Sequence, residues 1–430
     1  MKKSRVAVLV LLFVVGVSLF AADKPVKLSL WSGYPEMEPL FKHAAAEYKK
    51  LHPNVDIDVL THPLREYEQK LSATIPSNTA ADVLDVSGYA LQKFVEAGFI
   101  PKTPSKLEAY VNKAGRYTEF TKQSMTYKNT LYGVPFFQGK TALYWNVDMF
   151  KAAGLTRAPQ TYAEMAEYAK KLAGYVQNGN LVRSGHSLRL SCQGSGRAEK
   201  WWFVLVPMGG TIIEPGKEAG KYHAGYNNDA GRKALTYYID AVYKDKWDSF
   251  KIKHDAEAFE LEQTAMFLRE SWVIGDIAQK APKLNYATAP VPSDMRAGRI
   301  TNLQNLYVTK SCKNPDVAWD FIEFLVNDDN QRWMLDNVGW LPSRQDVDFS
   351  GILARKPQLK GFVEMPAGFQ EYGYVPIAVF DELLTKLAER LAMAFLDSSL
   401  EGNPKAIAKV ISDAADETNA ILTKAKLFSE

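Results

Sequence analysis

Cysteine is nearly absent from the sequence: 430 residues contain two, Cys192 and Cys312. Neither sits in a CxxC, which excludes a zinc ribbon and a thioredoxin-type redox motif. An exported chain would permit a bond between them, and unlinked thiols fit the sequence equally. Histidine is scarce too, with six at positions 43, 52, 62, 186, 223 and 254. No HExxH occurs and no two lie at ligand spacing on one helix, so no metal site is expected. There is no GxSxG elbow. Gly194-Ser195-Gly196 is too short for one and lacks the third glycine of a dinucleotide loop. No lysine follows a glycine-rich stretch at Walker spacing. No catalytic residue and no cofactor are therefore assigned. Carboxylates are plentiful, however. The acid pair of a secreted glycoside hydrolase, which needs a separation of about 5 or 6.5–9.5 Å, stays open as an alternative.

Net charge is also missing once its location is considered. Lys and Arg number 52 against 49 Asp and Glu, but Lys2, Lys3 and Arg5 precede the first acid, Asp23. Without those three, 49 basic residues face 49 acidic ones. A balanced chain has no surplus with which to hold a polyphosphate, which argues against nucleic acid or an anionic membrane as partner. The basic start is followed by an uncharged, Val- and Leu-rich stretch from Val6 to Phe20 and then by Ala21-Ala22. Charged, apolar and small-residue segments in that order are the layout of a signal peptide. The apolar part falls short of the roughly 20 residues that span a bilayer, and no Cys follows it for acylation. A periplasmic or secreted mature chain is expected, with residues 1–22 removed.

Beyond that stretch no apolar window is long enough to span a membrane, and there are no repeats or Pro- or Ser-rich linkers. The chain alternates between two periodicities. Residues 26–31 and 55–60 alternate apolar and polar, as half-buried strands do, and 82–86 is a short apolar strand. Between them Leu40, Phe41, Ala44, Ala45, Tyr48 and Leu51 recur at helical spacing. Further helices are expected over 66–74, 91–97, 230–243, 315–327, 380–396 and 404–422. One more, over 161–173, opens on a Thr161–Glu164 capping box. Strands alternating with helices predict βαβ units and a mostly parallel sheet.

Aromatic residues are what the sequence has in quantity: 9 Trp, 21 Tyr and 21 Phe. Trp31, Tyr34, Tyr89, Trp201, Trp202, Trp272 and Trp340 fall where strands end or loops begin. Ligands of open α/β sheets bind outside the carboxyl ends of strands. Flat rings with a few directed polar groups suit sugars, although a single Trp is more often core.

Four blocks carry a resemblance. Tyr132-Gly133-Val134-Pro135, followed by Ala142–Phe150, Ala153-Gly154-Leu155 and Pro159–Glu164, is the most specific. Ala265–Trp272, Asn314–Ile322 and Gly339–Arg344 follow in order. Together they resemble the extracellular solute-binding proteins of ABC importers, the carbohydrate class that includes maltose-binding protein. Tyr162 stands where Trp is usual, and Glu270 where Gly is usual.

The resemblance implies an α/β, two-lobed periplasmic-binding-protein fold of type II. Each lobe would be a mostly parallel sheet flanked by helices, with the lobes joined by hinge crossings. Residues 23–137 with 291–330 would form the N-terminal lobe, and 138–290 with 331–430 the C-terminal lobe. It further implies a monomer that captures a sugar or oligosaccharide in the cleft and delivers it to a membrane permease, without turnover. Its contact positions fall on Trp31, Ser32, Tyr34 and Glu36 after the first strand, and on Ser87 and Tyr89 after the third. They continue with Gln138 at the crossing, with Glu199 and Trp202 opening a helix, and with Glu270, Trp272 and Trp340. Asn302, Gln304 and Asn305 make an amide cluster expected in a turn before a strand at 306–309. Tyr372 and Tyr374 are weaker candidates. A polyamine or peptide binder on the same fold remains an alternative, since Glu36 and Glu270 could meet a cation. An iron or other anion binder would want paired tyrosines. Tyr237-Tyr238 are adjacent on a helix, so their side chains point roughly 100° apart.

Overall fold

The computed structural model describes residues 24–192 and 194–430; the signal peptide expected at 1–22 lies outside the described residues. The first hundred residues fold as the patterning requires. In β1 (Val26–Ser32) Leu28, Leu30 and Ser32 are buried while Lys27 and Trp31 turn away. Helix α1 (Glu38–Leu51) buries Leu40, Phe41, Ala44 and Tyr48 as one stripe and ends at His52, before Pro53. β2 (Val55–Thr61), α2 (Leu64–Thr74), β3 (Val83–Ser87) and α3 (Gly88–Glu96) complete two crossovers. β1 accordingly pairs in parallel with both β2 and β3.

The next strand of the main sheet, β4 (Val134–Asn146), is 13 residues long and serves both lobes. After it come α4 (Tyr162–Leu172), α5 (Gly196–Leu205), α6 (Asp229–Ile239) and α7 (Asp255–Glu260). The hydroxyl of Thr161 accepts from the Glu164 N–H at 3.1 Å, as a capping box should, but the Glu164 carboxylate caps Gln160 N instead. β5 (Met266–Glu270), α8 (Val273–Lys280) and β6 (Tyr286–Ala289) lead to the second long strand, β7 (Gly298–Val308). The main elements that follow are α9 (Pro315–Leu325), the short β8 (Leu341–Pro342) and β9 (Gln370–Tyr372), α10 (Phe380–Leu396) and α11 (Pro404–Lys424).

One nine-stranded sheet runs in the order β5-β4-β7-β3-β1-β2, with β6 and β8 added to β4 and β9 to β7. It is mixed rather than mostly parallel. Every partner of β4 is antiparallel to it, and β7 is antiparallel to β3. The cause is the passage between lobes. β4 carries the chain out and β7 carries it back, so the two must run oppositely, and β5 and β6 attach to the far half of β4. Local βαβ patterning cannot register this. The amides expected in a turn lie inside β7, where Asn302 and Gln304 interrupt the apolar alternation because they face the cleft, while Asn305 points to the other side.

Three apolar cores follow from this sheet. One fills the first lobe between β1, β3, the start of β4, the end of β7 and helices α1, α3 and α9. The second lies under α4, α5, α6, α10 and α11. The third covers the opposite face of the β4–β5 strands with Phe259, Ile274, Ile277 and Phe362. Cys192 is buried, Cys312 packs against the first-lobe core, and no disulfide joins them. No helix of the described residues is long and apolar enough to cross a membrane.

Candidate functional site

The carboxyl ends of β1 and β2, the middle of β4 and β7, and the end of β5 converge on one chamber of about 640 Å³ between the lobes. From the first lobe come the β1 loop with Tyr34 and Glu36 and the start of α2 with Arg65. The second lobe contributes Arg189, Glu199, Lys200, Arg269 and Glu270. Trp272 and Trp340 form aromatic walls. Tyr34 presents its ring edge to Phe137 at 5.3 Å and to Trp340 at 5.6 Å, which fixes the β1 loop against the sheet. Gly139 marks where β4 passes through. A Cβ there would come within 3.1 Å of Trp340 and 3.3 Å of Glu270, so the chamber floor depends on its bare backbone.

The two lobes touch through charge. Arg65 of α2 donates to Glu68 on its own helix and to Glu199 of α5, each at 2.8 Å. Burial alone would raise the Glu199 carboxyl, but Arg65 outweighs it and holds Glu199 below the ordinary carboxylate range. Behind the second-lobe wall Asp255 is fully buried. Burial works to raise it, and Arg269, Arg189 and Lys200, at 3.6–3.8 Å, more than reverse that. Lys200 is itself pushed down to about 8 by burial and by Arg269. Glu270 would rise on burial, but Lys200 and Arg269 hold it ionised. Enclosure in the cleft pushes Glu36 up, with Trp340 and Arg269 offsetting part of the rise. The chamber therefore offers donors and acceptors in near balance, with no unopposed well of either sign. Among the described residues no group of His, Cys, Asp and Glu is arranged to hold a metal.

The family model of bacterial extracellular solute-binding proteins matches residues 43–361. The chain belongs to this family. Its relatives include a lactose-binding protein of Rhizobium radiobacter, 24% identical over 69% of each chain. A galactooligosaccharide-binding protein of Bacillus subtilis (strain 168) is 23% identical over 75% of this chain and 74% of its own. Among solved structures, an ABC transporter solute-binding protein of Thermotoga lettingae TMO bound with α-D-tagatose superposes with a TM-score of 0.76. It is 20% identical and covers 92% of this chain and 100% of its own.

In this solute-binding protein the expected contact residues divide into two sets. Tyr34, Glu36, Glu199, Glu270, Trp272, Asn302, Gln304 and Trp340 line the chamber. Trp31, Ser32, Ser87, Tyr89, Gln138, Trp202 and Asn305 do not, for definable reasons. Trp31 alternates to the other face of β1, where the Lys70 ammonium sits 3.8 Å from its ring centre. Ser32 is fully buried and donates to Asp85 at 2.6 Å while accepting from Tyr34 N. Ser87 donates to Asn302, and Gln138 to the Pro342 carbonyl, so both brace the wall from behind. Trp202 is buried behind Tyr374, edge-on at 5.2 Å. Tyr89 stacks on Tyr374 and donates to Glu68. Asn305 turns away from Asn302 and Gln304, bonding Ser124 and Tyr307 on the opposite face of β7.

Sequence reasoning missed Arg65, Arg189 and Lys200. Arg65 had a signal, since it follows the end of β2 just as Tyr34 follows the end of β1. Arg189 has a left-handed backbone, φ 53°, an uncommon conformation for a non-glycine residue, and nothing local in the sequence announces it.

Asp85, under the β1 loop, gives a pH prediction. It is fully buried, its second oxygen has no hydrogen-bond partner, and burial lifts its carboxyl to about 8, with the Ser32 hydroxyl opposing. The folded state thus holds one more proton than the unfolded chain between pH 3.8 and about 8, so stability falls as pH rises through that window. Asp85→Asn is expected to leave stability near pH 4 unchanged and to raise it at pH 8 by at least about 1.4 kcal/mol, one pH unit of linkage. Urea unfolding at the two pH values checks this; equal effects at both would show that Asp85 ionises normally.

Proposed function

We propose that this protein captures an uncharged sugar or oligosaccharide between its lobes and presents it to the permease of an ABC importer. On this reading it works as a monomer, exported through residues 1–22, and makes and breaks no bond in its ligand. The observation that carries the proposal is the chamber itself, where aromatic walls from Trp272 and Trp340 enclose charge-balanced donors and acceptors supplied by both lobes. Aromatic faces accept the C–H side of a sugar ring, and carboxylates, amides and guanidinium groups bond its hydroxyls. The names of the lactose- and galactooligosaccharide-binding relatives support the same ligand class. Closure follows from a ligand that touches both lobes, because it binds the closed form better than the open one.

The other readings have less behind them. A polyamine would want a negative well, and Arg65, Arg189, Lys200 and Arg269 deny it one. Tyr237 and Tyr238, the pair considered for an iron site, pack in and against the second-lobe core. Glu36 raised and Glu270 lowered is the asymmetry an acid pair would use, so a turnover assay belongs beside the binding assay.

Intrinsic tryptophan fluorescence and thermal shift against a panel that includes lactose and galactooligosaccharides are the test. Saturable binding of at least one saccharide is expected, with stabilisation of about 2.7 kcal/mol at a hundredfold excess over Kd and no released product. Response to spermidine alone, or hydrolysis of the ligand, would contradict the proposal.

A further inference from the structure

Three cations of the second lobe share one buried anion. Arg189, Lys200 and Arg269 approach the Asp255 carboxylate at 3.6–3.8 Å, and all three line the chamber while Asp255 lies behind it. One anion does not balance three cations, so the balance depends on carboxylates on the chamber side. Glu199, Glu36 and Glu270 sit close enough to feel these cations, and they are not equivalent. Glu199 already accepts from Arg65 of the first lobe at 2.8 Å. Glu36 reaches in from the first lobe, and enclosure pushes its carboxyl up. Glu270 belongs to the wall itself. Its backbone is fixed by pairing with Thr141 of β4 and by the Tyr144 hydroxyl, which donates to its carbonyl at 2.8 Å. Its carboxylate stands 3.1 Å from Arg269 Nε without the alignment of a hydrogen bond. Charge holds it there, and its lone pairs stay open to the chamber.

Resting on the saccharide reading above, we infer that Glu270 is the specificity-determining residue that keeps acidic sugars, such as uronic acids, out of the chamber. A hydroxyl donates to Glu270 and accepts from Lys200 or Arg269 at once, so a neutral sugar uses both signs of the wall. A ligand carboxylate in the same place gains the cations but meets Glu270 with no proton between them. Repulsion between like charges is strong where water is excluded, and it works against the wrong ligand rather than for the right one. Without the Glu270 charge, and with Glu199 tied to Arg65, the wall would set Arg189, Lys200 and Arg269 against Asp255 alone. Three cations to one anion make a carboxylate site. A single charge thus separates a neutral-sugar chamber from an acidic-sugar one.

The test is calorimetry of the whole protein with matched neutral and acidic sugars: galactose and galacturonate, glucose and glucuronate, and the di- and trisaccharides of each. Where the neutral member binds, the acidic one is expected to bind at least about tenfold more weakly. Glu270→Gln keeps the shape and removes the charge, and it should move that ratio at least about tenfold toward the acid. Glu270→Asp, which keeps the charge, should retain the preference for the neutral member. A substitution that only loosens the wall weakens both members alike and leaves the ratio where it was. An acidic sugar that binds the unaltered protein as tightly as its neutral partner, or a ratio that Glu270→Gln does not move, overturns the inference and leaves the saccharide reading intact. Binding of no saccharide at all removes both.

Discussion

Replacing Glu371 by glutamine is expected to destabilise the protein by about 3 kcal/mol, the lower end of what breaking a buried ion pair costs. Glu371 lies in β9 and holds two cations at once: Arg299 of β7 at 2.7 Å and Lys140 of β4 at 3.0 Å. These are the two strands that join the lobes, and the register places Lys140 opposite Thr301, two residues beyond Arg299. Arg299 is 1% exposed, and its Nε and Nη1 have no hydrogen-bond partner. Without Glu371 it stays charged, because a guanidinium cannot shed its proton. Lys140 can, since burial and then Arg299 already depress it, with Glu371 opposing. Glu371 is about a quarter exposed, which argues for the lower end of the range. Urea unfolding at neutral pH reads the effect, and a loss under about 1 kcal/mol would mean that solvent screens the hinge. The sign with pH is fixed as well. Burial would raise Glu371, but Lys140 and Arg299 lower it, so its contribution is present above the ordinary value of 4.5 and fades as pH falls through the depressed folded value.

Truncating Trp272 to alanine is expected to weaken saccharide binding by about 2 kcal/mol, roughly thirtyfold, the size of loss seen when an aromatic anchor is removed. Trp272 sits at the N-cap of α8, two residues after the end of β5, and lines the chamber. Its ring lies 5.2 Å from the guanidinium carbon of Arg269, which also faces Asp255 and Glu270. Truncation therefore costs some stability through the lost cation–π contact, about 0.5–1 kcal/mol, and an unfolding midpoint measured beside the titration separates the two effects. Trp272→Phe should recover part of the affinity. Unchanged affinity in Trp272→Ala would place the ligand elsewhere.

The parts of this fold legible in the sequence are those with one buried face. β1, β2 and α1 bury one side and wet the other, so their periods of two and 3.6 stand out. β4 and β7 do not, because each is apolar where it crosses a core and polar where it crosses the cleft. The change of environment within one strand hid Asn302 and Gln304 in what read as a turn. Within the site, Trp272, Trp340 and Glu270 were found because they sit in family-like blocks. Arg65, Arg189 and Lys200 come from separate elements and resemble ordinary surface charges until the lobes bring them together. Asn305 shows the opposite failure. It adjoins Gln304 in sequence, yet strand alternation points it to the far face.

A crystal structure of the protein with a saccharide selected by titration tests the central claim most directly. A sugar ring should lie against Trp272 between the lobes, bonded from both sides by groups such as Glu36 and Lys200. A saccharide bound outside the cleft, with the chamber holding none of it, would contradict it.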